Sequence, residues 1–111
     1  MDSAERDFDL AMREIYAEAK RPPCNYNASY FLQMLNEHGG LGTARRLLAA
    51  PQVSDGFTQL YLRSRLDLTV ERNVLRPKFR GLFTAVELET ATARLKDLGY
   101  KVDGKDEFVK L

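Results

Sequence analysis

Arginines are the residues of this chain whose type and spacing best suit a binding chemistry. Between positions 44 and 80, eight basic residues stand against three acidic ones, so this segment carries a net charge of +5. The whole chain carries +1, and the remaining residues therefore sum to −4. A basic stretch between acidic ends indicates a polyanionic partner such as nucleic acid. The alternative is a solvated surface whose charges balance in three dimensions.

Seven residues of this stretch are candidate nucleic-acid contacts. Its arginines would bind phosphates without reading sequence, provided that several of them share one face. Gln59 is the candidate for reading base edges, because its amide can donate and accept hydrogen bonds at the same time. The candidate nucleic-acid-binding residues are Arg45, Arg46, Gln59, Arg63, Arg65, Arg72 and Arg76.

A DNA-reading helix-turn-helix is a narrower hypothesis for the same region. The connection at 51–54 has about the required length, but it lacks the glycine that such turns often contain, and Gly56 follows inside the next helix. Phosphate contact without sequence reading is therefore favoured. Tyr61 and Phe79 could stack on bases if exposed, although "PKFRGLF" favours a core position for Phe79. Ion pairs are expected within the stretch, Asp67 with Arg65 or Glu71 with Arg46.

The residues for catalysis are scarce. The chain has one cysteine, Cys24, and one histidine, His38, which excludes a cysteine cluster and a two-histidine metal site. His38 precedes two glycines at a predicted helix end, where a cation suits the helix dipole. Cys24 has no neighbouring base and is expected to be a small, half-buried side chain. "GGLGTARR" lacks the ending of a phosphate-binding loop. We expect no enzyme activity, no metal and no cofactor.

Hydrophobic periodicity predicts an all-α domain of five or six short helices. The first helix spans 3–20. The second spans 28–37, with Asn27 as its N-cap, and "HGG" separates it from a third at 42–50. Ser54 or Asp55 begins a fourth helix, whose core face would be Phe57, Leu60 and Tyr61.

Two further starts are marked by threonines. Thr69 begins a short fifth helix, and "TAVE" at Thr84–Glu87 is a capping box for the last one. Asp103–Gly104 is a typical hairpin turn, which would pair Tyr100 and Val102 with residues 107–109. A tail packed on the helices is the alternative.

One domain accommodates all of these elements. We divide its 111 residues into an acidic N-terminal helix (1–21), a core helical module (26–100) and a tail (101–111). No apolar run approaches the roughly 18 residues that cross a bilayer, and the acidic start does not look like a signal peptide. We therefore expect a cytoplasmic protein without a membrane partner.

The central module resembles a small all-α bacterial domain. The resemblance is carried by "YN…YFLQML", "GG…AR.LL", "GF..L", "RLDLTVE..VL" and "F..LFT..E...A...L", and it covers about 26–100. Similar segments occur alone and as pieces of larger bacterial proteins, some of them nuclease-like, which implies an accessory module. The resemblance assigns no catalytic or ligand-binding residue, and the first helix lies outside it.

These observations predict a non-enzymatic bacterial accessory domain that contacts DNA or RNA through its basic central helices. The alternative is a protein-interaction module that regulates a partner, for example a nuclease or a defence-system component. Its docking element would be the acidic first helix or the "FVKL" tail, and its arginines would be solvated or would contact an acidic partner. Exposure of Tyr61 beside clustered arginines would favour contact with nucleic acid. An exposed apolar patch on the first helix or on the tail would favour the protein-interaction module.

Overall fold

The computed structural model confirms the predicted all-α architecture. It describes residues 2–102 and 108–110, with side chains as far as Tyr100. The described residues form five α-helices, two 3-10 turns and a two-stranded sheet. In chain order these are α1 (Ser3–Lys20), α2 (Ser29–Ala49), α3 (Asp55–Leu62), a 3-10 turn (Leu66–Leu68), α4 (Val70–Val74), a second 3-10 turn (Arg80–Leu82), α5 (Ala85–Lys96), β1 (Tyr100–Val102) and β2 (Phe108–Lys110).

Side-chain caps begin three of the helices at the predicted residues. The hydroxyls of Ser54 and Thr69 accept the backbone N–H of Phe57 and Arg72. At α5 both halves of the capping box are present: the Thr84 hydroxyl accepts the Glu87 N–H, and the Glu87 carboxylate accepts the Thr84 N–H. These local bonds satisfy amides that would otherwise lack a partner, so they fix where the helices start.

Helix α2 differs from its prediction at one end. Its N-cap is Ala28, without a side-chain cap, so the prediction of Asn27 was wrong. The Asn27 side chain instead accepts a hydrogen bond of 3.2 Å from the Tyr16 hydroxyl on α1. The predicted break at "HGG" is confirmed at Gly39, whose φ of 73° and ψ of 174° interrupt the helix. Only glycine adopts that backbone region without strain.

A short antiparallel sheet follows α5. Tyr100 pairs with Lys110 and Val102 with Phe108, so the predicted hairpin is present with a shifted register. The predicted turn at Asp103–Gly104, together with Glu107 and the end of the "FVKL" tail, lies outside the described residues.

The acidic helix α1 supplies the centre of the core. Phe8 and Met12 are fully buried, and the Phe8 ring packs edge-on against Phe79 and Phe83 at centroid distances of 5.1 and 5.3 Å. Such edge-to-face pairs add to the stabilisation from apolar burial. The burial of Phe79 confirms its predicted core position. The same core includes Leu95 of α5, so helices from both ends of the described helical region contribute to one core.

Gly40 brings α2 against the backbone of α1. A Cβ atom at this position would lie 2.7 Å from the Cα of Asp9, closer than packed side chains allow. The Gly40 N–H donates a 2.7 Å hydrogen bond to the Asp9 carboxylate, which also pairs with Arg13 at 3.0 Å. Because this approach leaves no room for a side chain, Gly40 sets the distance between the two helices.

Candidate functional site

The predicted arginines on α2 lie near α5 or face solvent. Arg45 donates a 2.9 Å hydrogen bond to the carbonyl of Leu82 and lies 3.5 Å from the Glu87 carboxylate. Arg46 is exposed on the same helix. The predicted ion pair between Arg46 and Glu71 was wrong, because Glu71 pairs with Arg94 of α5 instead.

Arg63 and Gln59 bind each other and the connection between α1 and α2. The Arg63 guanidinium donates to the Gln59 side chain and, at 2.9 Å, to the carbonyl of Cys24. It also lies over the ring of Tyr26, 5.1 Å from the centroid. These contacts tie the end of α3 to the residues after α1 and occupy the groups predicted to meet nucleic acid.

The remaining three arginines lie around the first 3-10 turn and α4. The predicted pair of Arg65 and Asp67 is confirmed, with two bonds of 3.0 and 3.1 Å. Arg72 and Arg76 line a polar groove between α1 and α4 with a volume of about 330 Å³, and we call it the charged groove. Arg21, which the prediction did not include, lines it as well.

The charged groove is lined by a buried amide with one unsatisfied donor. Asn73 is 4% exposed; its side-chain oxygen accepts a 3.2 Å hydrogen bond from Arg76, while its Nδ2 has no hydrogen-bond partner among the described residues. Such a donor is rare in folded proteins and attracts an acceptor. Three carboxylates line the groove beside the arginines, those of Glu14, Glu18 and Asp67. The groove is therefore of mixed charge rather than purely basic.

A second cavity lies on the other side of Ile15 and Leu68, which line both. This apolar pocket has a volume of about 290 Å³ and is bounded by α1, the following connection, α2, α3 and the start of α4. Its wall is mostly aliphatic and aromatic, as in Phe31, Met34 and Phe57. A concave apolar site of this kind is the usual form of a binding site for a small or partly buried ligand.

Two hydroxyls and one carboxylate that line the apolar pocket already have partners. Ser54 and Thr69 cap α3 and α4, as described above. The Glu71 carboxylate, 3% exposed, pairs with Arg94 at 3.0 Å. Arg94 also donates to the carbonyls of Leu47 and Ala50 at the end of α2, at 3.1 and 2.8 Å. Burial raises the pKa of Glu71, and Arg94 opposes that rise.

Two of the described residues that line the apolar pocket are exposed, Tyr30 and Asp55; they mark its solvent-facing side, which we call its opening. The Tyr30 side chain is 73% exposed. Tyr26 lies behind them, with its hydroxyl near the start of α3, 3.8 Å from where a Cβ on Gly56 would lie. Burial raises the pKa of the Tyr26 hydroxyl, and the Asp55 carboxylate raises it further. The opening is thus aromatic and acidic.

The two residues considered for catalysis, His38 and Cys24, lie on different elements of the structure. His38 is exposed on α2, with its Nε2 3.7 Å from the Glu37 carboxylate. Cys24 lies in the connection after α1 and is buried, so the prediction of a half-buried side chain was wrong. Within residues 2–102 and 108–110, no group of three histidine, cysteine or acidic side chains is placed to hold a metal ion. In the same part of the chain, no helix has the length and apolarity to cross a bilayer.

Sequence reasoning missed the apolar pocket and left Tyr61 open between the core face of α3 and an exposed stacking position. The structure places Phe57 and Leu60 in the core and leaves Tyr61 44% exposed. The pocket has no local signature, because its walls come from residues separated by up to 56 positions, from Ile15 to Glu71. Its one local hint was "NYNASYF", a polar and aromatic stretch before α2.

With this geometry in hand, we compared the chain with known proteins. No protein-family model matches it, and no curated protein or solved structure shows significant similarity to it.

Proposed function

We propose that this chain is a non-enzymatic protein-interaction module whose apolar pocket receives an apolar side chain of a partner protein. The observation that carries the proposal is the pocket itself, about 290 Å³ of mostly apolar volume with an exposed tyrosine at its opening. Protein interfaces obtain most of their affinity from a few aromatic or aliphatic anchors that fill such pockets.

The charges around the pocket support a protein partner over nucleic acid at this position. The charged residues that line it are Asp55 and Glu71, both acidic. Phosphate groups would be repelled there, because like charges in partly buried sites are poorly screened. The lining hydroxyls of Ser54 and Thr69 are used for capping, which argues against a nucleophile in this pocket.

Filling the pocket tests the proposal. Ala28 is a half-buried lining residue, and Ala28→Leu would extend a larger side chain at the pocket wall. Ala93→Leu makes the same change at an exposed position of α5 and serves as the control. Peptides selected from a random display library against the wild-type protein should share an apolar anchor. They should lose at least tenfold in affinity for Ala28→Leu and bind Ala93→Leu normally.

Equal binding of the selected peptides to wild type and Ala28→Leu would contradict the proposal, and so would a selection without a shared anchor. Urea unfolding of both variants checks that the comparison concerns folded proteins.

A second candidate function is the predicted contact with DNA or RNA, now centred on the charged groove. Its specific support is the unpartnered Nδ2 of Asn73 in a groove that Arg21, Arg72 and Arg76 also line. Phosphate oxygens would accept from all of these donors.

The exposure criteria stated for the two hypotheses do not separate them. Tyr61 is 44% exposed, but among the described residues the small cavity that it lines has one arginine, Arg94, and on α1 the exposed large apolar side chain is Leu10. The acidic residues of the charged groove oppose nucleic-acid contact, and we therefore place this candidate second.

Fluorescence anisotropy with labelled duplex DNA, single-stranded DNA and RNA at two salt concentrations tests the second candidate. Nucleic-acid contact predicts binding that weakens steeply with salt and that decreases with Arg21→Ala and Arg72→Ala. Arg6→Ala is the control, because it removes an exposed arginine that is neither in the groove nor among the predicted contact residues. No binding at low salt would exclude this candidate.

A further inference from the structure

The charge pattern at the opening of the apolar pocket restricts what the pocket can bind. Seventeen of the described residues line the pocket, and none of these is lysine, arginine or histidine. The two carboxylates differ in their surroundings. Glu71 lies deep and is paired with Arg94, whereas Asp55 is exposed at the opening. A ligand entering the pocket therefore meets Asp55 as its first charged group.

Asp55 has no basic partner within the described part of the chain. No lysine or arginine nitrogen there lies within 4.0 Å of its carboxylate. Its neighbour Arg63 is bound to the carbonyl of Cys24 and lies over Tyr26. Asp55 stands in the first turn of α3, where a carboxylate suits the helix dipole, so its sequence position alone has a structural explanation. Asp55 also accepts a side-chain hydrogen bond from the Tyr26 hydroxyl. Neither the helix dipole nor this neutral donor supplies a positive side chain, so the charge of the carboxylate remains open to a cation from a ligand.

Tyr30 adds a second group that attracts cations. Its ring is 73% exposed, and no basic side chain within the described part of the chain stacks on it. By contrast, Arg63 already covers the ring of Tyr26 and Lys20 that of Tyr16. The face of an exposed tyrosine ring binds ammonium and guanidinium groups with a modest favourable energy. A carboxylate and an open aromatic face at one opening are complementary to a cation.

We infer that the occupant of the apolar pocket is a peptide segment in which an apolar anchor residue is flanked by lysine or arginine. This inference rests on the proposed function and deepens it by stating the chemistry of the partner. The anchor fills the space between Phe31, Met34 and Phe57, while the flanking cation meets Asp55 and Tyr30 at the opening. The long side chain of lysine or arginine reaches these groups while its stem covers apolar surface.

Blocked peptides of equal length provide the probe. Each carries phenylalanine at its centre, flanked on both sides by lysine, glutamine or glutamate, and its affinity is measured by titration monitored by NMR. Lysine-flanked peptides should bind about two- to fivefold tighter than glutamine-flanked ones, which is the range expected for an exposed ion pair. Glutamate-flanked peptides should bind most weakly. The difference should shrink at high salt.

Two charge-matched variants locate the effect. Asp55→Asn should remove the preference for lysine while leaving the affinity for glutamine-flanked peptides unchanged. Glu89→Gln removes one negative charge from an exposed position of α5 outside the pocket and should preserve the preference. If Asp55 served only the helix dipole, Asp55→Asn would change stability and leave the preference intact, and that result would overturn the inference.

The remaining outcomes separate this inference from the proposed function. Peptides that bind regardless of flanking charge, and that Ala28→Leu excludes, would overturn the inference and leave the proposed function standing. Absence of binding by every peptide would overturn both. An oligonucleotide that displaces the peptides, or a pocket-dependent dimer in sedimentation that Ala28→Leu dissociates, would overturn the inference by identifying another occupant.

Discussion

The apolar pocket and the charged groove share the wall formed by Ile15 and Leu68, yet they are built on opposite principles. In the pocket, the deep charged group is a carboxylate held by Arg94, and most of the wall is apolar. Three arginines and three carboxylates line the groove, and the buried Nδ2 of Asn73 has no hydrogen-bond partner among the described residues. The difference teaches that arginines close together in the sequence do not by themselves make a purely basic groove. Carboxylates from α1 enter the same groove.

The largest expected effect comes from the ion pair behind the pocket. Arg94→Ala leaves Glu71 as a buried carboxylate without a counter-ion and also removes two hydrogen bonds to the end of α2. We expect the free energy of unfolding to fall by about 3–5 kcal/mol, the usual cost of breaking a buried pair. Urea unfolding measures it. Arg46→Ala, at an exposed arginine, should change stability by less than about 0.5 kcal/mol. A similar loss of unfolding free energy for Arg94→Ala and Arg46→Ala would contradict the distinction between a buried and an exposed arginine.

The shared wall should give the next effect. Leu68→Ala opens the barrier between the pocket and the groove and should cost roughly 2–3 kcal/mol, the lower part of the range for a buried leucine. Leu62→Ala makes the same chemical change at a side chain that is 66% exposed. It should cost well under about 1 kcal/mol in the same urea experiment. Equal costs would mean that the wall does not separate two packed regions.

A pH series distinguishes the buried carboxylate from the surface ones. The pKa of Glu71 is raised above its ordinary value of 4.5, so the folded state takes up a proton at a higher pH than the unfolded state. The stability of wild type relative to Glu71→Gln should therefore increase as the pH falls from neutrality through the raised pKa, and level off below about 4.5. Glu89→Gln, at an exposed site, is the control. A stability difference that decreases on acidification would reverse the sign and refute this assignment.

The smallest effect is expected on the groove side of the comparison. Arg65 and Asp67 form a two-bond pair close to solvent, so their coupling energy should be below about 1 kcal/mol. A double-mutant cycle with Arg65→Ala and Asp67→Asn measures it directly. A coupling energy as large as that of Glu71 and Arg94 would mean that the ion pair of the groove is as strong as the buried pair behind the pocket.

Sequence reasoning succeeded where the determining contacts are local. The caps at Ser54, Thr69 and Thr84 act over three residues, and the interruption at Gly39 needs only its own backbone. The prediction failed where a side chain distant in the sequence competes for the same hydrogen-bonding group. Asn27 serves Tyr16 of α1 rather than capping α2.

The candidate site shows the same contrast between local contacts, which were predicted, and distant contacts, which were not. The pair of Arg65 and Asp67 spans two positions and was predicted, whereas the partner of Glu71 lies 23 positions away on α5 and was not. The apolar pocket requires four helices to be placed correctly before it exists. Whether the seven predicted contact residues meet nucleic acid stays a prediction.

Because Gly40 contacts the Asp9 backbone, the residues accepted at position 40 in a library of variants report on the packing of α1 against α2. Saturation of every codon followed by selection for folded protein should retain glycine almost alone at position 40, since any Cβ there would overlap α1. At Gly81 nothing lies within 4 Å of an added Cβ, and that position should accept many residues. Comparing how many residue types are accepted at positions 40 and 81 would show, without any structural measurement, whether the selected variants still pack α1 against α2.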